Sequence, residues 1–73
     1  MGGDFYFIIS YTVNGNTNCD QQGGFYEYEK AARAAMDRAS FAYSHADRVI
    51  ARVYYSKPIL LGTVADWNQG GLQ

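Results

Sequence analysis

Hydrophobic and polar positions along this chain alternate with a period of two, shift to a helical period, and return to two. From Asp4 to Thr12, Phe5, Phe7, Ile9 and Tyr11 alternate with Tyr6, Ile8, Ser10 and Thr12, as a strand requires. Both sets contain aromatic or β-branched residues, which suits a central strand. Asn14-Gly15 follows, the strongest short-range hairpin signal. A two-residue loop would pair Val13 with Asn16 and set Asn18 and Asp20 on the face of Tyr11 and Ile9. A three-residue loop would set Thr17, Cys19 and Gln21 there, because a slip of one residue exchanges the faces. Cys19 is the only apolar residue of the second strand, so the three-residue loop is expected. The rest of that strand is polar, as an edge should be.

Gly23-Gly24 then frees the backbone to leave the sheet. From Tyr28 to Tyr43 no Gly or Pro interrupts a run rich in alanine, and the run predicts a helix. At 3.6 residues per turn, Tyr28, Ala32, Ala35, Met36, Ala39 and Tyr43 form one stripe, while Lys30, Arg33, Asp37 and Arg38 lie elsewhere. Glu29 with Arg33, and Arg33 with Asp37, have the four-residue spacing of surface ion pairs. Glu27 and Glu29 stand near the positive helix N-terminus, and Ser44 to Asp47 close the helix. Alternation resumes at Arg48, with Val49, Ala51, Val53 and Tyr55 set against Arg48, Ile50, Arg52 and Tyr54. Lys57-Pro58 marks a turn, Ile59 to Ala65 a last strand, and Asp66 to Gln73 a polar tail with Trp67 as its one large anchor.

The predicted class is α+β. One domain spans 1–73 in the order β-β-α-β-β, with 1–3 and 68–73 as flexible ends. The antiparallel sheet has four strands in the order 2-1-3-4, which places the two most apolar strands in the centre. One helix covers one face. Phe5, Phe7, Ile9, Tyr11, Val49, Ala51, Val53 and Tyr55 are expected to pack against Ala32, Ala35, Met36 and Ala39, large residues on the sheet against small ones on the helix.

With 73 residues the chain is near the lower limit for a domain that folds alone. It is 48% hydrophobic, with seven Tyr, four Phe and one Trp, too apolar for a disordered segment. The net charge of −1 supplies no basic field for a nucleic-acid backbone. A lone cysteine fits a reducing compartment. No secretory leader is expected from the short run Phe5 to Ile9 preceded by Asp4, no stretch is long enough to span a membrane, and the start does not fit N-myristoylation. A cytoplasmic location is expected.

Because one helix can shelter only one side of a sheet, the opposite face draws attention. Tyr6, Ile8, Ser10 and Thr12 should lie there beside Arg48, Ile50, Arg52 and Tyr54, joined by Leu60 or Val64 from the last strand. A solvated face is usually richer in Thr, Lys, Glu and Ser. This mixture of aromatic, aliphatic and arginine side chains is the composition of protein interfaces. The expected partner-binding residues are Tyr6, Ile8, Arg48, Ile50, Arg52 and Tyr54, with Phe41 as a separate apolar position on the outer helix face. The partner is expected to be a protein. A homodimer through the same face is the alternative, and a weak single-stranded nucleic-acid reader a third reading.

Catalytic, cofactor-binding and metal-binding residues are not expected. Cys19, His45 and Asp47 are the nominal nucleophile-base set, but the first belongs to an edge hairpin and the others follow the helix. No His or Cys pair has ligand spacing, and the glycine doublets match no phosphate-binding loop.

The layout of the Asn14-Gly15 hairpin, Gly23-Gly24, the helix Glu29-Lys30-Ala31-Ala32-Arg33-Ala34-Ala35-Met36 and the strand Val49-Ile50-Ala51-Arg52-Val53-Tyr54-Tyr55 resembles small phage and mobile-element proteins. Among these it is similar to the anti-CRISPR class of compact α/β inhibitors. That resemblance implies stoichiometric, non-enzymatic binding to a bacterial CRISPR-Cas complex in the host cytoplasm. Some members of the class mimic DNA with acidic surfaces. Here Asp20, Glu27, Glu29, Asp37, Asp47 and Asp66 are scattered among Arg and Lys, and no functional residue is carried over.

Overall fold

The structure is a computed structural model that describes residues 3–56 and 58–68. Five elements follow one another: β1 (Gly3–Val13), β2 (Asn16–Gly24), α1 (Tyr28–Ala42), β3 (Arg48–Tyr55) and β4 (Ile59–Asn68). The strands form one antiparallel sheet in the order β2-β1-β3-β4, and α1 packs on one face. The α+β layout and strand order are those the sequence predicts. Of the expected flexible ends, Gly3 and Asn68 are strand residues, and the others lie outside the described residues.

The core is a layer of sheet residues under a ridge of alanines. Phe7 and Ile9 from β1, and Val49, Ala51 and Val53 from β3, are fully buried together with Ala31, Ala35 and Ala39 of the helix. A helix that presents only methyl groups brings its axis close to the sheet, so the large strand side chains fill the gap. The expected helix stripe is corrected here. Ala31 is in the core, whereas Met36 is 49% exposed and Tyr28 lies at the edge. The helix is turned so that residues four apart in the series 31, 35, 39 face inward, because a methionine beneath it would hold helix and sheet apart. Tyr55 is also corrected from core to rim: it is 39% exposed and meets Phe5 edge to face at 4.9 Å.

The β1-β2 hairpin has a two-residue loop, not three. Val13 pairs with Asn16, and Asn14 and Gly15 both take left-handed backbone, with φ of 52° and 84°. Those angles match the twist of the flanking strands, and this outweighs the gain from tucking one cysteine inward. As a result Asp20 pairs with Ile9 and Asn18 with Tyr11 on the helix side, while Cys19 pairs with Ser10 on the other side and is exposed. Asp47 secures the hairpin tip: its amide donates to the Thr12 carbonyl (2.8 Å), and its Oδ2 accepts from the Asn14 amide (3.0 Å).

β4 runs three residues beyond the predicted Ala65 and absorbs the start of the supposed tail. Trp67 pairs with Val49 and packs on the core. The register slips twice, leaving Val64 extra between the pairs Ala51–Ala65 and Arg52–Thr63, and Leu61 extra between Val53–Gly62 and Tyr54–Leu60. Such bulges bend an edge strand and blunt it as a template for further pairing. Among the described residues the ion pairs are Arg38–Asp20 and Arg48–Asp66; neither of the pairs suggested by helical spacing forms.

Candidate partner-binding face

Alternation on β1 and β3 decides which side chains reach the face away from the helix. Tyr6 lies opposite Tyr54, Ile8 opposite Arg52, Ser10 opposite Ile50, and Thr12 opposite Arg48. Outward on β4, Leu60 stands beside Tyr54, Thr63 beside Arg52 and Asp66 beside Ile50. On β2, Gln21, Cys19 and Thr17 continue the rows of Ile8, Ser10 and Thr12. Among the described residues α1 is the only regular element outside the sheet, and it occupies the other side. The structure thus brings Tyr6, Ile8, Arg48, Ile50, Arg52 and Tyr54 onto one surface. Phe41 is not part of it: the ring is 90% exposed on the helix.

This surface has two unlike ends. At one end the rings of Tyr6 and Tyr54 stack at 5.3 Å and 12°, with Leu60 beside them 51% exposed. At the other, the Thr12 and Thr17 hydroxyls share a hydrogen bond of 2.8 Å, and Arg48 Nη1 meets Asp66 Oδ1 at 3.0 Å. Polar groups there are satisfied within the chain. Between the ends sits Arg52, half-buried among Ile8, Ile50 and Tyr54, with no ion pair among the described residues. Of the two alternatives from the last strand, Leu60 joins this face, whereas Val64 packs toward the core.

One cluster escaped the sequence reading because it depends on the hairpin register. With Asp20 on the helix side, its Oδ2 accepts a hydrogen bond from Tyr43 Oη (2.7 Å) and another from Arg38 Nε (2.5 Å). Tyr43 in turn stacks on Tyr11 at 4.0 Å and 18°. The Tyr43 hydroxyl, followed by the Arg38 guanidinium, holds the Asp20 carboxyl below its ordinary value. Burial, reinforced by the bond to Asp20, pushes the Tyr43 phenol up to about 12. A two-residue reading of Asn14-Gly15 would have revealed this site. It ties the edge strand to the C-terminal half of the helix and to the residue that caps it, and is a fold contact.

The nominal nucleophile-base set is not assembled. Asp47 is engaged at the hairpin tip, His45 is exposed in the turn after the helix, and Cys19 is exposed on β2. No group of three His, Cys, Asp or Glu side chains among the described residues is placed to hold a metal ion. No helix among them is long and apolar enough to cross a membrane.

No protein-family model, curated protein or solved structure matches this chain significantly.

Proposed function

We propose that this chain is a non-enzymatic protein-binding inhibitor that acts by stoichiometric occupation of a surface on a larger protein assembly. The observation that carries this reading is the sheet face opposite α1, where Tyr6, Ile8, Ile50, Arg52, Tyr54 and Leu60 form a patch that no described element covers. Patches of this composition on small proteins mark interaction sites. Tyrosine and arginine are enriched among the residues that dominate binding energy: tyrosine buries large area with few rotatable bonds, and arginine offers a planar fork of donors. A sheet face fixed by cross-strand pairing loses little conformational freedom on docking.

The concrete target class, a bacterial CRISPR-Cas complex reached in the host cytoplasm, follows from the resemblance in layout to anti-CRISPR inhibitors. Its test is direct. Purified effector complexes of several types are mixed with the chain and resolved by size-exclusion chromatography, and target cleavage is followed in parallel. The expected result is co-elution at a fixed ratio with one complex and loss of its activity, both removed by Ile50→Asp. Cleavage that proceeds unchanged with every complex would overturn the CRISPR-Cas assignment.

A further inference from the structure

Arg52 sits at the centre of the open face with no counter-charge among the described residues, and that position restricts what can cover it. Its cross-strand neighbours are Ile8 and Thr63, and its neighbours along β3 on that face are Ile50 and Tyr54. Burying a guanidinium without an acceptor costs several times what the same contact contributes when paired. The described carboxylates nearest this face are placed elsewhere. Asp66 is bound to Arg48, and Asp4 lies at the far end of β1, where its carbonyl accepts from the Ser56 amide.

A second copy laid on this face would therefore bring another Arg52 and no unengaged central carboxylate. A nucleic-acid strand is disfavoured on charge: of the two arginines on the face, one is already neutralised by Asp66, and the chain as a whole is at −1. Phosphate tracking needs several free cations in a row.

We infer that the open face recognises a protein surface that presents a single Asp or Glu side chain inside an apolar ring, with that carboxylate received by Arg52. Tyr6 and Tyr54, stacked on each other, supply the aromatic flank beside the charge. Ile8, Ile50 and Leu60 supply the apolar surround that excludes water from the ion pair. Arginine suits this role because its planar fork meets a carboxylate with two parallel hydrogen bonds. The inference rests on the docking reading above and specifies its chemistry.

The test uses the full chain, labelled with ¹⁵N, titrated to millimolar concentration with an acetylated and amidated peptide Leu-Phe-Glu-Phe-Leu, its counterpart with Lys in place of Glu, and an oligo-dT strand. The expected result is saturable shifts of the β1 and β3 amides around Tyr6, Ile8, Ile50, Arg52 and Tyr54, and of the Arg52 side-chain Nε–H, with the Glu peptide. Affinity for the Lys peptide, and for the Glu peptide in Arg52→Gln, should be at least about tenfold weaker. A retained amide spectrum for Arg52→Gln would establish that the variant is folded.

Equal shifts with the Glu and Lys peptides would overturn the carboxylate inference and leave a docking face without charge selection. A response to oligo-dT alone would overturn it in favour of nucleic acid. Concentration-dependent broadening of the same amides without any additive would make a second copy the occupant. If no probe perturbs the face while the chain still inhibits an effector complex, and Ile50→Asp is fully inhibitory, the docking reading fails as well.

Discussion

Asp20 takes two hydrogen bonds on one oxygen, from Tyr43 and from Arg38; Arg38 lies in the helix and Tyr43 is the residue that caps its C-terminus. A carboxyl whose folded-state pKa is lowered contributes stability that is present above its unfolded value and lost as pH falls through the folded one. Stability should therefore decline as pH drops below the ordinary carboxyl value of 3.8. Tyr43 has the opposite sign. Its pKa rises from 10.0 to about 12, so its contribution is complete below pH 10.0 and disappears as pH climbs toward 12. Asp20→Asn should cost about 1–2 kcal/mol at neutral pH and flatten the acid limb of a chemical-denaturation series. Tyr43→Phe should remove the latest-titrating tyrosine from the absorbance titration at alkaline pH. An unchanged acid limb in Asp20→Asn would show that the cluster does not hold the edge strand.

At the scale of elements, the alanine ridge sets the distance between helix and sheet. Ala35 is fully buried at its centre, while Met36, one residue on, is half exposed. Ala35→Leu should destabilise by about 1–3 kcal/mol through overpacking, whereas Met36→Glu should stay within about 0.5 kcal/mol. Thermal unfolding of the two variants tests the orientation of the helix, since the stripe read from the sequence, which holds both residues, would make Met36→Glu damaging as well. The β1-β2 hairpin offers a second check. Gly15 has φ of 84° with open space around it, so Gly15→Ala meets no clash and costs only backbone strain, about 1 kcal/mol. At Gly3 the obstacle is steric instead: a Cβ there would run into the Phe25 carbonyl, and Gly3→Ala should separate the start of β1 from Phe25.

For the whole molecule, the decisive property is that, among the described residues, a four-stranded sheet carries one helix, on a single side. The extents of 43 × 18 × 17 Å give the broad side a footprint comparable with the ~800 Å² per partner of a standard interface. Tyr54→Ala removes the cross-strand stack on Tyr6 but no core side chain, so it should lower the melting temperature by about 4–8 °C, the equivalent of roughly 1 kcal/mol. It should nevertheless weaken partner binding by about 2 kcal/mol or more if it acts as an anchor. Phe41→Ser, on the outer helix face, serves as the contrasting variant, and the same binding measurement reports whether that ring contributes separately.

Much of this organisation was legible because it rests on local rules. Period-two alternation in Phe5 to Thr12 and in Arg48 to Tyr55 marks two central strands by the sheet geometry alone, and the unbroken alanine-rich run admits little besides a helix. The same alternation already places Tyr6, Ile8, Ile50, Arg52 and Tyr54 on one side. What the sequence could not determine depends on contacts between segments far apart in the chain. The two-residue turn was chosen by strand twist, together with the bonds that Asp20 finds on Tyr43 and Arg38. The helix rotated to the ridge at 31, 35 and 39 because sheet side chains fill the space beneath it. Two bulges carried β4 on to Trp67, where the indole meets the core. Periodicity fixes which residues share a face; only packing decides how far that face turns, and which partner each polar atom on it will find.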